Sequence, residues 1–354
     1  MNDEFEYESL SSLRDNTPFR PLSDEDRYVV FSDLHMGDGR AQDDFRKNAE
    51  LFRTVLDRYY LKRNFNLILN GDIEELHKFS LPPILRQWKG LFSLFDRFAE
   101  DKRLFKIIGN HDYDLLREKK YPYRSMLLPG MRLSYESGEI FIFHGHQASD
   151  WVEKYHRLTR ILIRYLARPL GIKNYSTAYN SRKQFRVERR VHEFSNTQKI
   201  ISLIGHTHRP LFESLSKTDS LKFKIEQLVR KYPAASQDDK ISIANDILHY
   251  KNELLEHFAK DRSIGTRDSL YDVNLVIPSL FNSGCCIGKR GITSIEISRG
   301  RIGLVSWYHD SLHKKYNRHY HQKPLRLEDT DIYRMVLKRD QLSYILSRIK
   351  LLAY

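Results

Sequence analysis

Five short blocks of side chains suited to metal ions recur along this 354-residue chain. They are Asp33-Leu34-His35, Gly71-Asp72, Gly109-Asn110-His111-Asp112, His144-Gly145-His146 and Gly205-His206-Thr207-His208. Imidazole suits transition metals, carboxylate oxygen suits manganese or iron, and a carboxylate can bridge two ions. Taken singly, each block has an ordinary explanation. Asp-x-His spacings are common, Gly-Asp is mostly a turn, and Gly-Asn-His-Asp can satisfy itself through Asx hydrogen bonds. All of them in this order, each at the same kind of place in the chain, ask for a shared purpose.

That place is the end of a strand. The apolar runs YVVF (28–31), NLIL (66–69), LFKII (104–108), IFIF (140–143) and ISLI (201–204) precede the blocks. Runs this short and this rich in Val, Ile, Leu and Phe predict strands covered on both faces. Helical stretches such as 43–62 lie between several of them, so the fold class is α/β. Open α/β sheets place ligand sites just past the carboxyl ends of their strands, where distant blocks converge in one crevice. Two residues separated by one position share a side of an extended chain, which suits Asp33 with His35 and His206 with His208.

Around this frame, residues 1–27 read as a polar leader, 28–327 as the main domain and 328–354 as a helical tail. The tail's apolar set is Ile332, Met335, Val336, Leu342, Ile345, Leu346 and Ile349. Two helical insertions, 150–198 and 213–264, interrupt the alternation, and NLVI (274–277), ITSIEI (292–297) and RIGLVSW (301–307) predict a closing β-meander. The first insertion is basic, with 12 Lys and Arg against three acids over 151–200. Within 154–170, apolar residues interleave with arginines at helical spacing. A solvated helix face, a basic amphipathic helix on anionic lipid and a nucleic-acid contact all remain open readings.

The composition, 40% hydrophobic and 12% aromatic, argues against wholesale disorder. A net charge of +13 favours an anionic partner: a phosphorylated small molecule, a lipid surface or nucleic acid. No run approaches 18 consecutive apolar residues, so no membrane span is expected. The start has no signal-peptide pattern, and the adjacent Cys285 and Cys286 offer neither a disulfide framework nor a zinc knuckle. A cytoplasmic location is expected, with peripheral contact to the inner membrane face left open.

The ordered series D-x-H, G-D, G-N-H-D, H-G-H and G-H-x-H, over roughly residues 28–210, resembles the calcineurin-like metallophosphoesterases. The resemblance implies a four-layer α/β/β/α sandwich with helical insertions and a hydrolase using two divalent ions. Manganese is the first choice among them, ahead of iron, zinc, cobalt and magnesium. It places Asp33, His35 and His208 on one ion, Asp72 between the two, and Asn110, His144 and His206 on the second. His111 would donate near the leaving oxygen and Asp112 would fix its tautomer, although Asp112 equally reads as a loop cap.

A narrower resemblance rests on Gly71-Asp72-Ile73-Glu74-Glu75, on the ending Arg209-Pro210 after Gly-His-Thr-His, and on Asn282-Ser283-Gly284. These are similar to the UDP-2,3-diacylglucosamine pyrophosphohydrolases, which cleave a nucleotide-lipid pyrophosphate at the cytoplasmic membrane face. Glu75, His146 and Arg209 become substrate candidates. His111 stands where that group usually has Arg, and His146 where it has Asp. The expected activity is hydrolysis of a small or lipid-linked phosphodiester or pyrophosphate. A nucleic-acid phosphodiesterase and a non-catalytic scaffold are the alternatives.

Overall fold

In the computed structural model, the described residues are 2–149, 181–212, 221–260 without 223, 227, 230 and 231, 277–310, and 324–353. They form two units, 1–212 with 279–354, and 213–278. In the first unit the strands are β1 (Phe19–Pro21), β2 (Arg27–Phe31), β3 (Asn66–Asn70), β4 (Leu104–Ile107), β5 (Leu127–Leu128), β6 (Met131–Tyr135) and β7 (Gly138–Ile142). They continue as β8 (Ile201–Ile204), β9 (Leu211–Phe212), β10 (Leu280–Asn282), β11 (Ile292–Ser298), β12 (Arg301–His309), β13 (Leu325–Arg326) and β14 (Ile332–Gln341). The helices of this unit are α1 (Asn2–Asp15), α2 (Ala49–Val55), α3 (Leu81–Gln87), α4 (Lys89–Glu100), α5 (Ser181–Gln198) and α6 (Leu342–Leu352).

Two sheets result. One has the order β13-β14-β12-β11-β2-β3-β4-β5, the other β1-β6-β7-β8-β10-β9. Strands β2, β3 and β4 run parallel, as do β7, β8 and β10. The parallel register sends Asp33, Asp72, Gly109, His144 and Gly205 to one edge. Side chains alternate across each sheet. Val29, Phe31, Leu67 and Leu69 join a core with Phe52, Val55 and Phe95 of the flanking helices, while Val30 and Ile68 are fully buried on the opposite face. On the second sheet, Phe141 and Phe143 pack with Leu10 of α1 and Val187, Val191 and Phe194 of α5. The layers are therefore helix, sheet, sheet, helix.

Three expectations change. The leader is not merely polar chain: α1 buries Leu10, sets Tyr7 edge-on to Phe194 at 5.4 Å, and pairs Arg14 with Glu139 at 2.7 Å. The tail is a strand before it is a helix, because β14 covers the nine-residue β12 along its length, from Arg301–Gln341 to His309–Ile332. Left bare, β12 would expose a row of unpaired amides. The closing meander is accordingly β11–β12–β14, while β10 lies in the other sheet beside β8. Residues 274–276 of the expected NLVI strand lie outside the described residues, as do 150–180 of the first insertion and 213–220 and 261–264 of the second. In the second unit, the helix Gln237–Lys260 follows a short turn at Tyr232–Ala234.

Candidate metal centre

The ends of β2, β3, β4, β7 and β8 deliver their side chains to one place. His208 Nε2 lies 3.1 Å from Asp33 Oδ1 and 3.0 Å from His35 Nε2. His144 Nε2 lies 3.1 Å from Asp72 Oδ2, and His35 Nε2 is 3.9 Å from the same oxygen. Ligand atoms gather in the groups Asp33–His35–His208 and Asp72–His144–His206, each with all its atoms within 4.8 Å. His35, Glu75 and His111 form a third such group, and Asp72 Oδ2 of the second lies 3.9 Å from His35 Nε2, which belongs to the first and the third. Adjacent donors around an octahedral ion with bonds of about 2.1 Å lie about 3.0 Å apart. Three of the four spacings, 3.0, 3.1 and 3.1 Å, are of that size.

Unmet hydrogen-bonding capacity gives an independent test of fit. Asp33 Oδ1, Asn110 Oδ1 and His144 Nε2 are buried and have no hydrogen-bond partner among the described residues. A buried polar atom without a partner costs about 1–3 kcal/mol, more when charged. Cations bound among these side chains would satisfy such atoms. The donors are oxygen and imidazole nitrogen, a set that fits divalent first-row metals.

Neighbouring groups fix which imidazole nitrogen faces inward. His144 Nδ1 donates to the Asn70 carbonyl at 2.9 Å, which leaves Nε2 as an acceptor. Glu75 takes His35 Nδ1 at 2.9 Å on one oxygen and His111 Nδ1 at 2.8 Å on the other. Ser149 Oγ lies 2.9 Å from His206 Nε2. The Thr207 hydroxyl donates to Glu188 of α5, and Gln184 donates to the Thr207 carbonyl, so α5 clamps the last ligand loop.

The loops themselves are held in an uncommon conformation. Asp33, His35, Asp72, His206 and His208 have φ between +49° and +62°. That region costs an L-residue about 1–2 kcal/mol, and short polar side chains tolerate it best. Strain concentrated on the ligand residues is what a preorganised site stores. At two positions only glycine fits. A Cβ on Gly71, whose φ is +80°, would meet His144 Nδ1 at 2.4 Å, and one on Gly109 would meet Asp72 Oδ1 at 2.1 Å.

Electrostatics follow from burial against pairing. Burial alone would push Asp72 up, but His144, His111 and His35 outweigh it and hold the carboxyl well below its usual range. Glu75 is likewise held well below against its burial, by His111 and His35. Burial opposes charge on His144 and His111, yet Asp72 raises the first, and Glu75 with Asp72 the second, each to about 9. His35 moves the other way, lowered chiefly by burial.

All seven expected ligand residues are therefore at this edge, and two other expectations change. Asp112 does not touch the His111 ring: its carboxylate accepts from the amides of Ile73 at 2.9 Å and Gly109 at 2.6 Å. It is a loop cap, and burial pushes it up to about 7. Glu75, expected to face substrate, is buried with both oxygens engaged by histidines, so it is the residue that orients His111. Arg209 is half exposed and paired with Glu188. His146 is half buried, its ring 5.5 Å from His144. No motif singled out His77, whose ring lies 4.2 Å from that of His111. Beneath the loop, Glu74 is buried between Lys106 Nζ and the Tyr121 hydroxyl, each at 2.7 Å.

No helix among the described residues is long and apolar enough to cross a membrane. No curated protein matches the chain. Among solved structures, a conserved uncharacterized protein of Streptococcus pneumoniae, described as a predicted phosphoesterase, is 13% identical. The alignment covers 80% of this chain and 91% of that one with a TM-score of 0.31, too low to carry an argument. Residues 27–222 match the model of the calcineurin-like phosphoesterase family, whose members typically bind two divalent metals. With more than half of its length matched, and with ligand groups for divalent ions at the strand ends, the chain belongs to the calcineurin-like phosphoesterases and is a metal-dependent phosphoester hydrolase.

Proposed function

We propose that the chain hydrolyses a phosphodiester or pyrophosphate bond in a small or lipid-linked substrate, with two divalent ions, manganese first among them. Asp33, His35 and His208 would hold one ion, Asn110, His144 and His206 the other, and Asp72 would serve both. The observation that carries this reading is the set of buried atoms without hydrogen-bond partners, Asp33 Oδ1, Asn110 Oδ1 and His144 Nε2, the last of them 3.1 Å from Asp72 Oδ2. When bound, such a pair supplies Lewis-acid chemistry: neutralisation of charge on the phosphoryl oxygens and activation of water.

The chain's own residues do the rest. Glu75 accepts from His111 Nδ1, and because the ring's pKa is raised to about 9 the imidazolium also carries a proton on Nε2, 4.0 Å from Asp72 Oδ2. His111 donates from Nε2 to the leaving oxygen, a contribution typically worth about 10²–10⁴ in rate. Arg209, steadied by Glu188 at the end of the last ligand loop, is suited to a non-bridging phosphoryl oxygen. The preference for a diester or pyrophosphate is supported by the likeness of the Gly71-to-Glu75 segment to pyrophosphohydrolases.

The test is turnover by manganese-loaded full-length protein of a bis-aryl phosphate, an aryl phosphomonoester and a UDP-linked pyrophosphate. Diester or pyrophosphate cleavage is expected. Asp72→Asn should lower metal content and activity by at least about 10³-fold, and His111→Gln should lower kcat about 10²–10⁴-fold with metal retained. Cleavage of the monoester alone would overturn the substrate class. Full metal loading without turnover of any of the three would overturn the reading.

A further inference from the structure

A second site lies at the other end of the strands that carry the metal ligands. Strand β2 ends next to Asp33 but begins at Arg27, roughly 20 Å away at about 3.3 Å per residue. At that end, Arg27 pairs in register with Ser298, and Ser298 with Arg301, so two arginines flank a serine across three neighbouring strands. Two residues along, Glu296 is opposite Gly303, and Gly303 is opposite Arg339. Directly paired residues, and those two apart on one strand, share a sheet face. The missing side chain at Gly303 leaves the floor between them open.

Arg299 and Gly300 make the β11–β12 turn with φ of +53° and +64°. Asn, Asp or Gly fills the first position with less strain, yet an arginine stands there. The helical segment after α2 closes the wall. Its last turns, Leu56–Leu61, widen to a π-helix and bring both Tyr59 and Tyr60 onto the sheet, with Arg63 just beyond. The result is a cavity of about 540 Å³ lined by six arginines, 27, 63, 299, 301, 334 and 339, and by a single acid, Glu296.

That acid is already used. Arg334 forms a two-pronged pair with Glu296, and the Tyr60 hydroxyl donates to it at 2.8 Å. Arg27, Arg63, Arg299, Arg301 and Arg339 have no acidic partner among the described residues. Like charges held together on a concave wall repel one another unless an anion joins them. Guanidinium forks match phosphate oxygens, two N–H groups at a time. The Tyr59 ring meets two guanidinium groups, Arg63 at 4.1 Å and Arg334 at 5.3 Å from its centroid, and packs against Tyr60, Phe65 and Trp307. The ring is thus already engaged by its neighbours, and recognition rests on phosphate groups.

We infer that this cavity binds a small anion carrying two or more phosphate groups, at a site separate from the metal centre. Its volume suits a metabolite-sized ligand. Arginines gathered around one concavity fit such an anion better than they fit a flat bilayer or a nucleic-acid duplex, whose phosphates would have to reach down into it.

The experiment titrates inorganic tripolyphosphate into the full-length protein by calorimetry, in parallel with Asp72→Asn and with Arg301→Ser/Arg339→Ser. One-to-one binding is expected, kept in Asp72→Asn and weakened at least about tenfold in the double variant. Both replaced arginines are exposed, so the double variant should keep its Tm and its activity on a bis-aryl phosphate. Equal affinity in the double variant, or loss of binding in Asp72→Asn, would overturn the inference. So would sedimentation with phosphatidylglycerol vesicles that depends on Arg301 and Arg339 while tripolyphosphate fails to bind.

Discussion

The two ends of the central strands carry opposite chemistry on the same scaffold. Past Phe31 and Asn70 the chain presents Asp33, His35 and Asp72, with ligand residues held at positive φ and atoms left without partners. Before Tyr28 and across the β11–β12 turn it presents arginines. Between them Val29, Val30, Leu67 and Ile68 are fully buried and ask for nothing polar. Each end also rests on one buried ion pair with a tyrosine: Glu74 with Lys106 and Tyr121 at the metal end, Glu296 with Arg334 and Tyr60 at the arginine end. The difference is what surrounds those pairs. Lys106 is the cation paired with Glu74, whereas Glu296 lies in a wall of arginines. One end gathers negative charge and needs cations from outside. The other has cations to spare.

This contrast predicts unequal responses to the same substitution. Lys106→Met strands the Glu74 carboxylate in the core, and removing one partner of a buried pair typically costs about 3–5 kcal/mol. Arg334→Met should cost about half as much, since Arg63 and Arg339 remain beside Glu296 in the same cavity. Urea unfolding of both variants measures the two values. Equal losses would mean that the neighbouring arginines do not compensate, and would break the comparison.

A smaller effect separates positioning from holding at the metal end. Glu75 touches two imidazoles through their Nδ1 atoms and sits one shell back from the expected ions. Glu75→Gln keeps its shape but loses the charge that sets both rings, so activity should fall about 10–100-fold. Metal content should fall less than in Asp72→Asn. The pH–rate profile should also shift, because Glu75 is a leading cause of the raised pKa of His111. An unchanged profile with merely reduced stability would reduce Glu75 to a packing residue.

Glu75 also marks where sequence reading stops. The candidate ligands were legible because each is fixed by its own strand: an apolar run followed closely by Asp, Asn or His. Which acid serves His111 is not a local property. Asp112 is its neighbour in the chain, but its carboxylate turns to the amides of Ile73 and Gly109. Glu75 arrives from another strand's loop. The strand β14 was hidden for a related reason. Ile332, Met335 and Val336 recur at helical spacing, yet the unpaired edge of β12 outweighs that local pattern. The polar run 2–15 gave no hint that Leu10, with Tyr7 and Leu13 beside it, would dock it as α1.

The last and smallest effect is titration, and it distinguishes the two ends without any mutation. In metal-free protein, His111 and His144 are raised to about 9 from an unfolded value near 6.5. A raised basic group stabilises fully below its unfolded pKa and loses that contribution as pH climbs through its folded value. The metal-free protein should therefore lose stability between about pH 6.5 and 9. A bound cation takes the place of the His144 proton, so metal binding tightens and releases a proton over the same window. Manganese-loaded protein should accordingly hold its Tm where chelator-treated protein declines. The arginine end adds nothing to this slope, because guanidinium stays charged throughout. Thermal melts of both forms at pH 6.5, 8 and 9.5 read the difference. A decline of the same size with and without metal would mean that these histidines do not face the ions, and the assignment of His144 as a ligand would go with it.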